Sequence, residues 1–354
     1  VAMSGGVDSS VAAALLKEKG YDILGIFLHF WKEESAGAEA LNKCCSIEAL
    51  QDARRVAERL GIRLYTLNFS RLFKKEVVDY FLESYENGKT PNPCVVCNKK
   101  VKLGHLLKKG RELGYDYVAT GHYARNEMKT AGGKHRLCRP RDREKDQSYF
   151  LYSLSQEELS RLFFPLAGYS KDEVRAMAKK LGLPVAEKGD SQEVCFVPEK
   201  GHNEFLKRHL KLKPGKIVCD GRTVGEHGGL PLYTIGQRKG VEIGGTGPYY
   251  VSGFDKKKNI LLVVRQTDDQ KLFGQTLFAG RVSWLSGQAP AMPLACEAVI
   301  RYRHRPQPCL VETAGKNAVK VTFAKPERAI TAGQSVVFYQ GDEVLGGGVI
   351  SSLE

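Results

Sequence analysis

The sequence predicts an α/β fold: an N-terminal parallel-sheet domain, then a small β-rich central domain and a C-terminal β-barrel. Three observations carry this. The first 125 or so residues alternate short apolar runs with helical periods. Past about residue 210 glycines multiply and helical periods vanish. The 354 residues exceed one hydrophobic core, at roughly 150 residues per domain.

"ILGIFLHFW" (23–31), "RLYTLNFS" (63–70) and "YDYVATGHYA" (115–124) read as buried strands. "VAAALLKEKG" (11–20), "SIEALQDARRVAERLG" (46–61) and "KKVKLGHLLKKGRELG" (99–114) read as helices. Gly20, Gly61 and Gly114 stand where helix C-caps belong. Strand and helix in alternation imply a parallel sheet covered on both faces. Residues 126–140 suggest a hairpin with a Gly-Gly turn, and 153–183 a return to helix, with Ser170 and Glu173 in a capping-box pattern. "NILLVVRQ" and "ACEAVIRYR" mark the β-rich half. The expected division is 1–205, 206–274 and 275–354.

Lysine and arginine number 54 against 40 acidic residues, a net charge of +14. That excess favours a polyanionic partner, since basic side chains release counterions from phosphates. No run of 18 apolar residues occurs, so no membrane partner is expected. No signal-peptide pattern opens the chain, which starts at "VAM" inside an apparent strand, implying that residues precede it. Nine scattered cysteines fit a reducing cytoplasm better than a secreted disulfide framework.

"MSGGVDSSVAAALL" follows a strand and opens a helix. Gly5 and Gly6 let the backbone approach a ligand, and the helix N-terminus with its free amides forms an anion cradle. Ser4 and Ser9 add hydroxyls, and Asp8 is placed to hold Mg²⁺ beside phosphates. The Walker A lysine is missing, which argues against a γ-phosphate-transferring loop. An ordinary Gly-rich turn is the competing reading.

"SGGVDSS" resembles the PP-loop signature of ATP pyrophosphatases, of the adenine nucleotide alpha hydrolase-like fold. "PNPCVVCNKKVK", "ATGHYAR", "KDQSYFLYSL", "DSQEVCFVPE", "YTIGQRKG" and "RYRHRPQPC" together resemble the bacterial tRNA 2-thiouridylases, the MnmA/TrmU family, over nearly the whole chain. The resemblance implies an ATP- and Mg²⁺-dependent enzyme that places sulfur on C2 of the wobble uridine of tRNA for Lys, Glu and Gln. The sulfur would come from a cysteine desulfurase, a relay protein or inorganic sulfide. It further implies ATP contacts at Ala2, Met3, Ser4, Gly5, Gly6, Val7, Asp8, Ser9, Leu28 and Gly121. Asn92, Pro93 and Cys94 would meet the target base. His122, Lys145, Asp146, Gln147, Arg301, Tyr302 and Gln334 would contact tRNA.

By the same resemblance Cys195 carries a persulfide and Cys97 is the thiol that resolves it as a disulfide. The family pattern is Asn-Pro-Asp, where this chain has Cys94. Cys94, Cys97 and Cys195 therefore also form a candidate three-thiolate set for a [4Fe–4S] cluster with one open iron. A spare thiol at Cys94 is the alternative, and spacing alone separates neither. Cys138, Cys219, Cys296 and Cys309 read as small buried hydrophobes. Cys44 and Cys45 remain open, and Asp190 reads as a turn residue beside the cysteine loop. The competing enzyme is another PP-loop ligase or thiolase acting on a different tRNA base. A nucleic-acid-binding or sulfur-carrier module with a degenerate nucleotide site is the non-enzymatic competitor.

Overall fold

The computed structural model describes residues 1–33, 46–128, 133–189, 194–197, 201–241, 243 and 247–353. Cys44, Cys45, Asp190 and Gly132 of the expected hairpin turn lie outside the described residues.

The N-terminal sheet is parallel. Strand Leu24–His29 pairs in register with Arg63–Asn68, and on its other side Ala2 bridges Ile26. Ala2 N donates to Ala119 O at 2.8 Å, and Val118–Ala119 pairs with Leu162–Phe163. The order across the sheet is thus 63–68, 24–29, 1–3, 118–119, 162–163. The chain leaves the central strand in both directions, so the topological switch point lies between residues 1–3 and 118–119. Ligands of open α/β sheets bind there, at the carboxyl ends of the strands.

Helices Val7–Glu18 and Ile47–Leu60 cover the sheet. Gly20, Gly61 and Gly114 all have positive φ (82°, 60° and 81°), as expected of helix stops. The helix expected at 99–114 starts earlier. Pro93–Val96 is α-helical, Cys97–His105 is wound as π-helix, and Leu106–Glu112 returns to α. Such widened turns occur often at functional sites. The strand expected at 115–124 is only Val118–Ala119. The long helix expected at 153–183 is broken into Gln156–Leu159 and Lys171–Lys180, with strand Leu162–Phe163 between. Pro165 and Gly168 interrupt the helical stretch. Ser170 and Glu173 do form a capping box, and so do Ser155 and Glu158, which the sequence reading missed.

The central domain has four strands in the order Arg222–His227, Gly215–Cys219, Ile260–Val264, Tyr250–Asp255. The C-terminal domain is a closed six-stranded antiparallel barrel. Its first strand, Phe273–Trp284, pairs with both Ala318–Arg328 and the last strand, Glu343–Leu353. The hairpin forms as expected, Arg125–Met128 against His135–Cys138. Its outer partner was not expected: Leu137 and Cys138 pair with Val344 and Glu343 of the barrel. The N-terminal domain therefore extends the barrel's sheet. One apolar core spans the junction, joining Phe73, Phe81, Val101, Leu137, Tyr149, Val337 and Val344.

Candidate active site at the sheet switch point

The loop Ser4–Gly6 follows the central strand and opens helix Val7–Glu18. Gly6 is the N-cap, and no side chain caps the helix. Its first-turn amides remain directed at the loop, as an anion site requires. Gly5 has φ +70°, and a Cβ there would collide with Ala49 O. Ser9 Oγ binds Ser4 N at 3.2 Å and Gly6 O at 3.1 Å, which fixes the curl of the loop. Gly121, at the end of the fourth strand, approaches so closely that a Cβ would lie 2.7 Å from Ser9 N. Ser4, Gly5, Gly6, Asp8, Ser9 and Gly121 thus converge. Met3 and Val7 are buried, and Leu28 is buried in the main core, so their side chains serve packing.

The Asp8 carboxylate accepts from Tyr123 OH at 2.9 Å and from Lys171 Nζ at 2.7 and 2.9 Å. Lys188 Nζ reaches Gly5 O at 3.0 Å and Asp52 at 2.6 Å. Sequence reasoning missed both lysines. Their partners lie 163 and 183 residues away, and nothing local marks them. Mg²⁺ in nucleotide sites takes one or two carboxylates and completes its shell with phosphates and water. Asp8 beside the two serine hydroxyls fits that donor set.

Gln147, on the segment expected at the tRNA, holds Tyr123. It accepts from Tyr123 N at 3.0 Å and donates its own N–H to Tyr123 O at 2.9 Å. His122 Nδ1 lies 2.7 Å from Thr120 Oγ1. Burial, aided by Lys102, pushes the His122 pKa down to about 3, so it is neutral at physiological pH. Asp146 accepts from Ser148 N at 2.9 Å, and burial raises its pKa. Lys145 is half-buried on the same turn. Arg301 donates to Arg328 O at 3.0 Å. Burial, then the charge of Arg328, lowers its pKa. Tyr302 packs on Phe150 with ring centres 4.5 Å apart. Gln334 donates to Thr90 O and Pro91 O at 3.0 Å each.

Asn92 caps the cysteine helix, accepting from Val95 N at 3.4 Å, and Pro93 takes the first helical position, where its missing N–H costs nothing. Cys97 is buried in the main core, whereas Cys94 is half-buried. Cys195 packs against the same core beside Phe196, whose ring meets Phe73 and Phe81 at 5.5 and 5.2 Å. Cys97 and Cys195 thus share one apolar cluster. Among the described residues, no three His, Cys, Asp or Glu side chains are placed to hold one metal ion, Cys94, Cys97 and Cys195 included. Cys138, Cys219 and Cys309 are buried as expected; Cys296 is only half-buried, with its sulfur 3.8 Å from that of Cys309. No described helix is long and apolar enough to cross a membrane.

A glycine-rich loop at the switch point of a parallel sheet, opening a helix with no side-chain cap, marks a nucleotide-using α/β enzyme of the PP-loop type. The family description "tRNA methyl transferase HUP domain" matches residues 1–199. "tRNA methyl transferase PRC-barrel domain" matches 203–265, and "Aminomethyltransferase beta-barrel domain" matches 274–350. The tRNA-specific 2-thiouridylase MnmA of Carboxydothermus hydrogenoformans is 50% identical over 355 residues, covering 99% of this chain and 96% of its own. That of Moorella thermoacetica is 46% identical, covering 100% and 99%. That of Clostridioides difficile is 44% identical, covering 99% and 97%. The chain belongs to the tRNA-specific 2-thiouridylase family, a family of tRNA sulfurtransferases.

Proposed function

We propose that the protein catalyses ATP-dependent 2-thiolation of the wobble uridine of tRNA for Lys, Glu and Gln. The observation that carries the reading is the phosphate loop at the switch point of a chain whose Cys97 and Cys195 pack into one core. Uracil O2 is a poor leaving group. Its attack on the α-phosphorus of ATP releases pyrophosphate and leaves an adenylate. The amides of Gly5 to Ser9, with Lys171 and Lys188 close by, bind and orient the phosphates and favour the departing charge. Mg²⁺ bound with the nucleotide would neutralise phosphate charge at Asp8.

Sulfur transfer then uses the two thiols. The terminal sulfur of a Cys195 persulfide attacks C2, and AMP leaves. The Cys97 thiolate attacks the Cys195 sulfur, forming a Cys97–Cys195 disulfide and freeing the thiocarbonyl sulfur on the base. A thiol reductant restores both cysteines for the next turnover. Burial of Cys97 excludes water from this exchange. Asn92 and Pro93 face the target base in this reading, and Arg301, Tyr302 and Lys145 lie along the tRNA. The basic excess of the chain supports a tRNA partner.

The test is 2-thiouridine formation in unmodified tRNA with ATP and a sulfur donor, on iron-free protein. Product that depends on ATP and on both Cys97 and Cys195 is expected. Pyrophosphate release independent of tRNA would instead indicate a small-molecule ligase, and activity that appears only with bound iron would overturn the persulfide route.

A further inference from the structure

One hairpin of the barrel, Leu294–Val299 with Gln307–Gly315, carries a cysteine on each strand. The register sets Cys296 directly opposite Cys309. Facing residues of an antiparallel pair have Cα atoms about 4.5–5.5 Å apart, inside the span of about 4.4–6.8 Å that a disulfide bridges. Cys309 belongs to the barrel core and Cys296 packs against that core, so both side chains lie on the inner face. Their sulfurs are 3.8 Å apart, about 1.8 Å beyond a sulfur–sulfur bond. Cys309 is 7% exposed, whereas Cys296 is half-buried. The hydrogen bond to Cys296, then burial, pushes the Cys309 thiol up, so Cys309 holds its proton and Cys296 is the reactive partner. The loop joining the strands, residues 300–306, holds Arg301, Arg303 and Arg305. Arg301 donates to Arg328 O at 3.0 Å, and His304 lies 3.4 Å from Glu327. Both anchors sit at the end of strand Ala318–Arg328. The cysteines form the third register pair below the loop, at its root. Cys97 and Cys195 pack in a different cluster, so this pair is separate from theirs.

We propose that Cys296 and Cys309 are a thiol–disulfide exchange site, at which a low-molecular-weight disulfide closes a bond across the root of the arginine-rich loop. The Cys296 thiolate attacks one sulfur of the disulfide R–S–S–R. A Cys296–S–S–R mixed disulfide forms, and RS⁻ leaves and takes up a proton. Cys309 then gives up its proton, and its sulfur attacks the Cys296 sulfur and expels the second RSH. Two cysteine thiols are oxidised by two electrons in all, and one disulfide is reduced to two thiols. The first step removes the thiolate that held Cys309 protonated, so burial alone opposes the second. The bond encloses the 12 residues from 297 to 308 and restricts both ends of the loop at once. A bridge with one partly exposed sulfur is of the labile kind, so a thiol reductant reopens it. Under reducing conditions the pair rests as the two free thiols of this structure. A rise in disulfide staples the hairpin and fixes the spacing of its three arginines.

The test treats the full-length protein with oxidised glutathione, and a second portion with dithiothreitol afterwards. Remaining thiols are alkylated with N-ethylmaleimide, and peptides are read by mass spectrometry without reduction. Expected is a Cys296–Cys309 crosslink that exceeds glutathione adducts on either residue by at least about tenfold, because the second sulfur is already in contact. Dithiothreitol should return both thiols. Cys309→Ser should instead accumulate the glutathione adduct on Cys296. In Cys296→Ser, Cys309 should carry at least about tenfold less adduct than that, since burial shields it. Amide hydrogen exchange across 300–306 should slow by at least about threefold in the oxidised wild type, and not in Cys296→Ser. The wild-type measurements need neither variant to fold. Cys296 and Cys309 both still alkylated after oxidised glutathione, or crosslinks shared at random with Cys138 and Cys219, would overturn the exchange site. A crosslink that leaves exchange across 300–306 unchanged would overturn the staple.

Discussion

Lys171 Nζ bridges both carboxylate oxygens of Asp8, at 2.7 and 2.9 Å, across 163 residues of sequence. The lysine side chain is only 9% exposed, and the aspartate stands in the first turn of the phosphate-loop helix. A nearly buried ammonium at that position is a ready counter-charge for phosphate. Lys171→Met is expected to slow pyrophosphate release about a hundredfold, because the developing charge loses a preorganised cation. It should also cost about 1–3 kcal/mol of stability, with the partial exposure of Asp8 limiting the loss. Lys171→Arg keeps the charge and should recover part of both. Pyrophosphate release by Lys171→Met at the wild-type rate would remove the lysine from the phosphate site.

The cysteines should separate the two chemical stages. Cys97→Ser and Cys195→Ser are expected to lower 2-thiouridine formation by about a thousandfold or more, since each removes a bond-forming sulfur. Both should still release pyrophosphate in the presence of tRNA. Cys94→Ala should stay within about threefold of wild type if its thiol is idle. Mass spectrometry of digested tRNA reads all three, and a dead Cys94→Ala enzyme would return the third thiol to the mechanism.

Gly121 is where two loops meet without room for a side chain. Its Cβ would lie 2.7 Å from Asp8 C and Ser9 N. Gly121→Ala should push the phosphate loop away, raising KM for ATP about tenfold while KM for tRNA moves little. Steady-state kinetics with each substrate varied checks it, and equal effects on both would point to general unfolding.

Acid should destabilise the fold through two histidines. Burial, then Lys102, lowers His122 from 6.5 to about 3. Burial, then Arg301, lowers His304 to about 4. Below the unfolded value near 6.5, the unfolded chain binds protons that the folded chain refuses, so stability falls as pH falls from there towards 4 and then 3. His122→Gln should flatten part of that slope in thermal midpoints measured from pH 7 to 4.5. NMR should show both imidazoles neutral down to pH 5, and a midpoint near 6.5 for either would contradict the burial argument.

Local chemistry made much of this legible in the sequence. Gly20, Gly61 and Gly114 stop helices because their φ values are open only to glycine at little cost. Ser170 and Glu173 announce a helix start within four residues. "SGGVDSS" declares the phosphate loop, because anion cradles are built from consecutive residues. What could not be read is what depends on distant partners. Nothing around Lys171 or Lys188 points to the loop they approach. The backbone bonds that Gln147 and Gln334 make, to Tyr123 N and to Thr90 O, were likewise out of reach of local pattern. The hairpin at 125–138 was legible as a hairpin, because its two strands are neighbours in sequence; its barrel partner was not. The cysteine pair was visible only through family resemblance, since 98 residues separate the two sulfurs (195 minus 97).

That barrel partner has a consequence for how the molecule is made. Val344 pairs with Leu137, so about 200 residues must be added before the hairpin finds its neighbour. At about 5–20 residues per second that is about 10–40 s of synthesis. Throughout it, the N-terminal domain carries a bare strand edge, the kind of surface that recruits other chains. The hairpin holds Arg125, Glu127 and Arg136, and Glu127 pairs with both arginines in the finished fold. Charges on a strand edge oppose its pairing with other chains. Arg136→Val should leave the mature enzyme folded yet increase aggregation of ribosome-bound chains stalled before residue 340, and equal solubility of the two nascent chains would refute it.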